Sequence, residues 1–391
     1  MVIKCDVLVV GAGPAGSSAA RAAALNGAKT ILIEKDPAAG MNIQCAESIS
    51  KYLMPYLPFP IPKEQLIWEI RGMLFWAENM LIKKEGEKWG AYNINREKFD
   101  RWLADEAVRA GAKFFTDTKL VHLDFDNEYI VKKAFVKTPK GENEIRPKVI
   151  IAADGVKSTV ARRLGVMQRI NEGDIAEVVA YDMRNLKLDN PHYDQIFLGD
   201  FAPGSYAYIL PKSKNVASLG VGTIIDKTKR QLEKHFNDFI NHKIVKHQIK
   251  DAIIIDEKSG EAPMRQIIDK WVYGNVIFTG DAANQNIKPL AEGILPGIIC
   301  GDIAGKVASD FVKKNSPLEK YEKLVYDKMG DFFRLSNDAI DVMCSMPLDP
   351  KEKKTHLLHM GLFLGIFNKK YIKSLQSKNY NFIRKKIIKL K

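Results

Sequence analysis

Three turns carry residue types and spacings suited to holding a large anionic cofactor. The first is Gly11-Ala12-Gly13-Pro14-Ala15-Gly16, with Glu34 placed 18 residues beyond its last glycine. In this pattern Gly11 permits a tight turn, Gly13 lets the backbone approach a pyrophosphate, and Gly16 lets a helix close on a strand. The helix opening there presents unpaired N–H groups to phosphate oxygens. A carboxylate at Glu34 accepts from ribose hydroxyls and repels a 2′-phosphate, which disfavours NADP at this site. The second turn is Asp154-Gly155 with Ser158, and the third is Gly280-Asp281-Ala282-Ala283. Singly, an acid after a strand is an ordinary helix cap. Together, three such turns read as strand ends gathered at the crevice of a doubly wound sheet, where a dinucleotide lies.

Other reactive residue types are sparse. The four cysteines (Cys5, Cys45, Cys300 and Cys344) have no CxxC pairing, so neither a zinc site nor a disulfide framework is expected. His356 and His359 lack an acid or cysteine partner and read as ordinary helix residues, so no metal is expected. Tyr206 has a hydroxyl able to orient a substrate or relay a proton, and reads equally well as a half-buried sheet tyrosine.

The elements that must position these residues alternate between strand and helix. Val7–Val10, an alanine-rich helix and Thr30–Ile33 form a βαβ unit, and residues 1–54 a first cofactor-binding segment. Pro55 to Pro62 holds four prolines, which a regular helix does not tolerate, and marks an excursion over 55–91. Asn95-Arg96 opens a helix with Phe99, Leu103 and Ala107 on one buried face, and Gly111 ends it. A strand, a hairpin and the buried strand Val149–Ala153 complete a second cofactor-binding segment, 92–165. Period-two segments over 166–265 read as a separate antiparallel sheet, a substrate domain, interrupted by a helix over 227–240. The strand Asn275–Thr279 returns to the first domain, over 266–315, and residues 316–391 read as mostly helical with a basic tail. The fold class is α/β: a discontinuous Rossmann-like domain, an inserted antiparallel sheet domain and a helical C-terminal region.

The formal net charge is +13 over 391 residues, and 46% of the residues are hydrophobic, enough for real cores. Lysine-rich solvated faces account for such a charge, as does an anionic membrane face. Part of the excess is local. The tail Lys378–Lys391 interleaves cationic and apolar residues, and the stretch His356–Phe367 before it is markedly apolar. That pairing suits an anionic membrane surface. No zinc finger, basic zipper or RNA-binding sheet motif is visible, so no nucleic-acid partner is expected. No apolar run approaches the roughly 20 residues of a spanning helix, and a turn at residue 11 leaves no room for a signal peptide ahead of it. A cytoplasmic protein, peripherally associated with the membrane, is the expectation.

The set Gly11–Gly16, Ala153-Asp154-Gly155-x-x-Ser158 and Gly280-Asp281-Ala282-Ala283 resembles the FAD enzymes of the p-hydroxybenzoate hydroxylase superfamily. Within it the chain is similar to the geranylgeranyl reductases, particularly the archaeal digeranylgeranylglycerophospholipid reductases. The residues that carry this likeness are Gln44-Cys45-Ala46-Glu47, Asn95-Arg96 and Pro203-Gly-Ser-Tyr206-Ala-Tyr208-Ile-Leu210-Pro211. The last is similar to the family's PxxYxWxFP substrate motif, with Tyr208 for Trp and Leu210 for Phe. The loop Pro289–Ile294 also departs, with Ala291 where a small glycine-like turn residue is usual. The resemblance covers about residues 1 to 340.

The resemblance implies FAD as cofactor. It implies that Gly11, Gly13, Gly16, Ala15 and Glu34 meet the pyrophosphate and adenosine ribose, and that Cys45, Ala46 and Ser48 line the flavin. Arg96 is implied to reach the FAD phosphates or ribityl chain, and Leu120 the adenine by its backbone. Asp154 would support the sheet and cofactor, and Gly280, Asp281, Gly293 and Ile294 would complete the site. The helix from Gly293-Ile294 would point its N-terminus at the isoalloxazine and stabilise an anionic reduced flavin. Tyr206, Tyr208, Leu210 and Pro211 would form an aromatic and apolar substrate wall, with Tyr206 and Cys45 as candidate catalytic residues. Cys45 and Cys300 would come close enough for a redox-sensitive disulfide. The implied activity is saturation of the C=C bonds of geranylgeranyl lipids, with electrons from ferredoxin, a quinol pool or NAD(P)H, since no second dinucleotide turn is present. An aromatic hydroxylase on the same scaffold is the alternative. A flavin halogenase is disfavoured by the missing Trp-x-Trp-x-Ile-Pro motif, and a non-catalytic flavoprotein by the complete cofactor constellation.

Overall fold

The parallel strand Val2–Val10 lies at the centre of the first unit because its C-terminal half is fully apolar. Val7, Leu8 and Val9 have no exposed surface, as expected of a strand covered on both faces. The computed structural model describes residues 2–344 apart from 42, 44, 78, 79, 170, 172, 203, 204 and 225–228. Gln44, Pro203, Gly204, His356, His359 and the basic tail therefore lie outside the described residues.

Two units are present. Among the described residues, one comprises the chain up to Glu69, Ala91–Ile175 and Gly260–Phe333; the other comprises Ile70–Gly90, Ala176–Ser259 and residues 334–344. The first is built on an eight-stranded sheet. Its order is Val272–Tyr273, Val276–Phe278, Gly141–Ala152, Val2–Val10, Thr30–Ile33, Lys113–Phe115; off this path Val131–Thr138 pairs with Gly141–Ala152, and Lys119–Phe125 pairs with Val131–Thr138. Val2–Val10 runs parallel to both Gly141–Ala152 and Thr30–Ile33, and Gly141–Ala152 runs parallel to Val276–Phe278. The three cofactor turns all follow the carboxyl ends of these parallel strands. That is where an open α/β sheet binds its ligand.

Helix Pro14–Leu25 packs on helix Ile294–Lys314 unusually closely, and glycine is the reason. Gly297, Gly301 and Gly305 repeat at i, i+4 on one face. A Cβ on Gly301 would stand 2.1 Å from the Ala15 carbonyl oxygen, and one on Gly305 2.2 Å from that of Ala19. Ser18 then donates to the Ile298 carbonyl at 2.7 Å, tying the two helices across 280 residues of sequence.

The second unit carries a seven-stranded sheet in the order Ile253–Pro263, Ile175–Arg184, Val216–Thr223, Ala207–Pro211, Tyr193–Leu198, Gly72–Ala77, Met80–Glu85. Ile175–Arg184 with Val216–Thr223, Val216–Thr223 with Ala207–Pro211, Ala207–Pro211 with Tyr193–Leu198, and Gly72–Ala77 with Met80–Glu85 pair antiparallel, whereas Tyr193–Leu198 runs parallel to Gly72–Ala77. The excursion therefore supplies two strands of the same sheet. Its start is corrected from residue 55 to 70, because the proline-rich stretch stays in the first unit. There Lys51–Tyr56 forms a short 3₁₀ turn, in which Pro55 removes one backbone donor. The C-terminal region expected from 316 is likewise divided. Helix Lys320–Cys344 begins in the first unit, and its residues from Arg334 belong to the second. Among the described residues no helix is long and apolar enough to cross a membrane.

Candidate flavin site

The glycine turn has the geometry its residues require. Gly11 has φ +98°, in the left-handed region, and a Cβ there would meet the Ala153 carbonyl oxygen at 2.5 Å. At Gly16 a Cβ would lie 1.8 Å from the Gly11 carbonyl oxygen. Gly13 differs: it caps helix Pro14–Leu25, and apart from its chain neighbours nothing lies within 4 Å of its notional Cβ. That open space before a helix N-terminus is the cradle a pyrophosphate fills. Glu34 closes the turn from below. Its Oε2 accepts from the Ala12 amide at 2.8 Å and its Oε1 from the Asp36 amide at 3.1 Å. A carboxylate has about four acceptor positions, so ribose hydroxyls still find lone pairs there. Thr118 donates its amide to the Glu34 carbonyl at 2.7 Å, which brings Lys119–Phe125, with Leu120, beside this strand end.

Asp154, expected in the cofactor-binding set, accepts from the Ser158 hydroxyl at 2.6 Å and the Val160 amide at 3.0 Å through its carboxylate. Ser158 in turn caps helix Thr159–Leu164 through the Ala161 amide at 3.0 Å. Burial raises the Asp154 pKa, against the lowering effect of these bonds. Its bonds hold the helix start in place, and the neighbouring Ala153 carbonyl is what touches the glycine turn.

A charged group gathers at the opposite side of the crevice. Arg96 makes a bidentate pair with Asp100, Nε–Oδ1 2.8 Å and Nη2–Oδ2 2.7 Å. Both side chains are well buried. Burial opposes the Arg96 charge, but Asp100 and the adjacent Cys45 hold its pKa above the ordinary value. The helix start is also capped from outside. Glu47 Oε1 accepts from the Arg96 amide at 3.0 Å and Asn95 Oδ1 from the Lys98 amide at 2.9 Å. Cys45 Sγ accepts from the Glu47 amide at 3.3 Å. Ala46 and Ser48 flank this segment and are half-buried.

Asp281 follows Gly280 at the end of Val276–Phe278. Burial raises its pKa, while Arg96 and Lys288 pull it down. Gly293, the N-cap of helix Ile294–Lys314, sits beside it: a Cβ on Gly293 would lie 3.1 Å from Asp281 Oδ1. Asn284 Oδ1 and Asn286 Oδ1, on the loop after Asp281, are buried with no hydrogen-bond partner. Orphaned acceptors of this kind cost free energy and mark a place for a hydrogen-bonding ligand. Glu47, Asn284 and Ala291 all take positive φ, 65°, 56° and 54°. An alanine in the left-handed region costs about 1 kcal/mol relative to glycine, and Ala291 occupies the position where a glycine-like residue was expected.

Cys45 and Cys300 are both free. Cys45 faces Arg96 and the Glu47 amide, whereas Cys300 is wholly buried, with Tyr321 as its neighbour and its thiol pKa pushed up by burial. Among the described residues no cluster of histidine, cysteine and acids suits a metal.

Lys288, missed in the sequence, is a buried lysine facing Asp281; burial lowers its pKa from 10.5 to about 8. Between those two values the unfolded chain holds more protons than the folded one. The FAD-free protein should therefore gain stability as pH rises through that window, with the full cost paid below pH 8. Lys288→Met is expected to raise the FAD-free melting temperature at neutral pH, by about 1 °C for each kcal/mol relieved, the scale set by an unfolding entropy of roughly 2 cal/mol/K per residue. It should abolish the rise with pH and weaken FAD binding. Differential scanning fluorimetry and flavin titration would check both.

On the second unit, Tyr208 lies flat against the sheet because position 220 has no side chain: a Cβ on Gly220 would stand 2.3 Å from the Tyr208 ring. Tyr206 and Tyr208 have ring centroids 6.2 Å apart. Leu210 continues the same strand face, and Pro211 ends the strand.

Fold and site define an FAD-dependent flavoprotein oxidoreductase, and FAD-binding-domain families match residues 6–54 and 66–293. The digeranylgeranylglycerophospholipid reductase of Methanocaldococcus jannaschii is 34% identical over 387 residues, covering 97% of this chain and 96% of the relative. That of Methanococcus aeolicus is 35% identical over 318 residues, covering 81% and 79%. A crystal structure of a geranylgeranyl bacteriochlorophyll reductase-like protein from Thermoplasma acidophilum superposes with a TM-score of 0.82 at 29% identity, covering 91% of each chain. A flavin-dependent brominase shares the fold at a TM-score of 0.75 and 18% identity. The chain belongs to the digeranylgeranylglycerophospholipid reductase family.

Proposed function

We propose that this protein saturates the C=C bonds of geranylgeranyl chains in archaeal ether-lipid precursors, of the 2,3-di-O-geranylgeranylglyceryl phospholipid class. The observation that carries this reading is likeness along almost the whole chain to reductases of that lipid, combined with an intact FAD cradle. FAD, when bound and reduced, supplies the hydride. Gly13 and the helix behind it hold the pyrophosphate, Glu34 the adenosine ribose, Arg96 and Asp281 the ribityl and phosphate oxygens, and Cys45, Ala46, Ser48, Gly293 and Ile294 the flavin ring. Leu120 meets the adenine by its backbone.

An isolated alkene accepts hydride poorly, so protonation must accompany transfer and build positive charge on the tertiary carbon. The π faces of Tyr206 and Tyr208 tolerate such charge, and these tyrosines with Leu210 and Pro211 form the apolar wall for the prenyl chain. Tyr206 orients the substrate. A ferredoxin or NAD(P)H supplies electrons, and the basic tail places the enzyme on an anionic membrane surface, where its substrate resides.

The reading is tested against the hydroxylase alternative by oxygen consumption. With reductant and geranylgeranyl phospholipid, the lipid should gain two hydrogens per bond without stoichiometric oxygen uptake. Oxygen uptake matched by a hydroxylated product would sink it.

A further inference from the structure

The loop entering helix Ile294–Lys314 ends on an acid to which the site described above gives no role. Glu292 immediately precedes Gly293, the N-cap. Its Oε1 accepts from the Ser50 amide at 3.1 Å and the Ser50 hydroxyl at 2.6 Å, and its Oε2 from the Tyr52 hydroxyl at 3.2 Å. Its main chain exchanges two hydrogen bonds with Ile287, each 2.9 Å. The carboxyl is thus aimed and held by three donors from Ser48–Tyr56, the segment that carries Ser48 of the flavin lining. Burial raises its pKa above the ordinary carboxylate value, against the lowering effect of Ser50 and Tyr52.

The charges around it favour proton uptake. Ser50 and Tyr52 face it from the strand and the 3₁₀ turn. Asp281 stands next to Gly293, and Lys288 on the same loop and Arg96 on its helix both face Asp281 rather than Glu292. One carboxylate therefore already lies near this helix end. A reduced flavin lined by Gly293 and Ile294, as proposed above, would add a further negative charge near this helix end, and each added negative charge strengthens a neighbouring carboxylate's hold on a proton.

We propose that Glu292 is the proton store of the flavin site, loading when FAD is reduced and emptying when the alkene is reduced; the second half rests on the lipid-reductase reading. In the first half, two electrons come from a low-potential donor of the ferredoxin class, or dithionite. Bound FAD would take up the electrons with one proton, and a second proton would convert the Glu292 carboxylate to the acid. In the second half, the reduced cofactor would supply hydride to one alkene carbon and Glu292 would give its proton to the other. The π bond breaks, two C–H bonds form, and FAD and the carboxylate are restored. The enzyme thereby stores the two electrons and two protons that one double bond consumes.

The test is spectroelectrochemical titration of the full-length, FAD-loaded protein across neutral pH, first without lipid. The wild-type midpoint potential should fall with pH twice as steeply as that of Glu292→Gln, which keeps an acceptor for Ser50 but takes no proton. Equal slopes would overturn the proposal. If Glu292→Gln fails to retain FAD, Tyr52→Phe serves instead. It removes one donor to the carboxylate and should move the steep segment to higher pH; an unmoved segment would likewise overturn it. Lipid is then added to the reduced wild-type protein. Unequal slopes without reoxidation by geranylgeranyl phospholipid would leave the loading half standing and defeat the emptying half together with the lipid reading.

Discussion

Gly16→Ala and Gly13→Ala are expected to fail in different ways, although both remove a glycine from the same turn. At Gly16 the new methyl would lie 1.8 Å from the Gly11 carbonyl oxygen and 3.1 Å from the Ala153 side chain, both immobile. Helix and strand must separate, and the expected cost is about 3 kcal/mol or more, the upper range for overpacking a core. The FAD-free protein itself should melt early. At Gly13 the methyl enters open space and the backbone is already at φ −71°. Stability without FAD should change by less than about 1 kcal/mol, the scale of an N-cap substitution. FAD affinity should fall by roughly a hundredfold, close to 3 kcal/mol, because the methyl occupies the pyrophosphate's place. Thermal melts with and without FAD separate the two. Equal FAD affinity in Gly13→Ala and wild type would remove the phosphate cradle from this turn.

Asp100→Ala should be the second most damaging change. It leaves the Arg96 guanidinium, 13% exposed, without its bidentate partner. Breaking one side of a buried ion pair costs about 3–5 kcal/mol. Replacing both partners with apolar residues, as in Arg96→Met with Asp100→Leu, should recover most of that stability, because no buried charge is then stranded. FAD binding should not recover with it. If the double variant binds FAD as wild type does, Arg96 serves the fold and not the cofactor. Urea melts and flavin fluorescence titration give the two readouts.

What was legible in the sequence is what depends on local chemistry. Gly11, Gly13, Gly16 and Glu34 are read correctly as one βαβ turn because strand, turn, helix and acid are contiguous. The Asn95-Arg96 helix start was legible for the same reason. The part Asp154 plays at its helix start was not, because an acid after a strand does not name its partners, and the Ser158 and Val160 bonds appear only in the fold. The repeat Gly297, Gly301, Gly305 is plain in the sequence, but its meaning lies on another helix, at the carbonyls of Ala15 and Ala19. Asp100 left a faint signal, an acid four residues after Arg96 on one helix face. Lys288 and Glu292 left none. Their character comes from burial, which no local pattern records.

Reduction of the lipid by the bound flavin is tested most directly by one anaerobic single-turnover measurement. Purified protein loaded with FAD is reduced with one equivalent of dithionite and mixed with digeranylgeranylglyceryl phospholipid, while the flavin absorbance and the lipid mass are followed together. The oxidised flavin spectrum should return at the rate at which lipid gains two hydrogens, one double bond saturated per flavin. A flavin that stays reduced in the presence of the lipid, and reoxidises only on admission of oxygen, would contradict reduction of the lipid by the bound flavin.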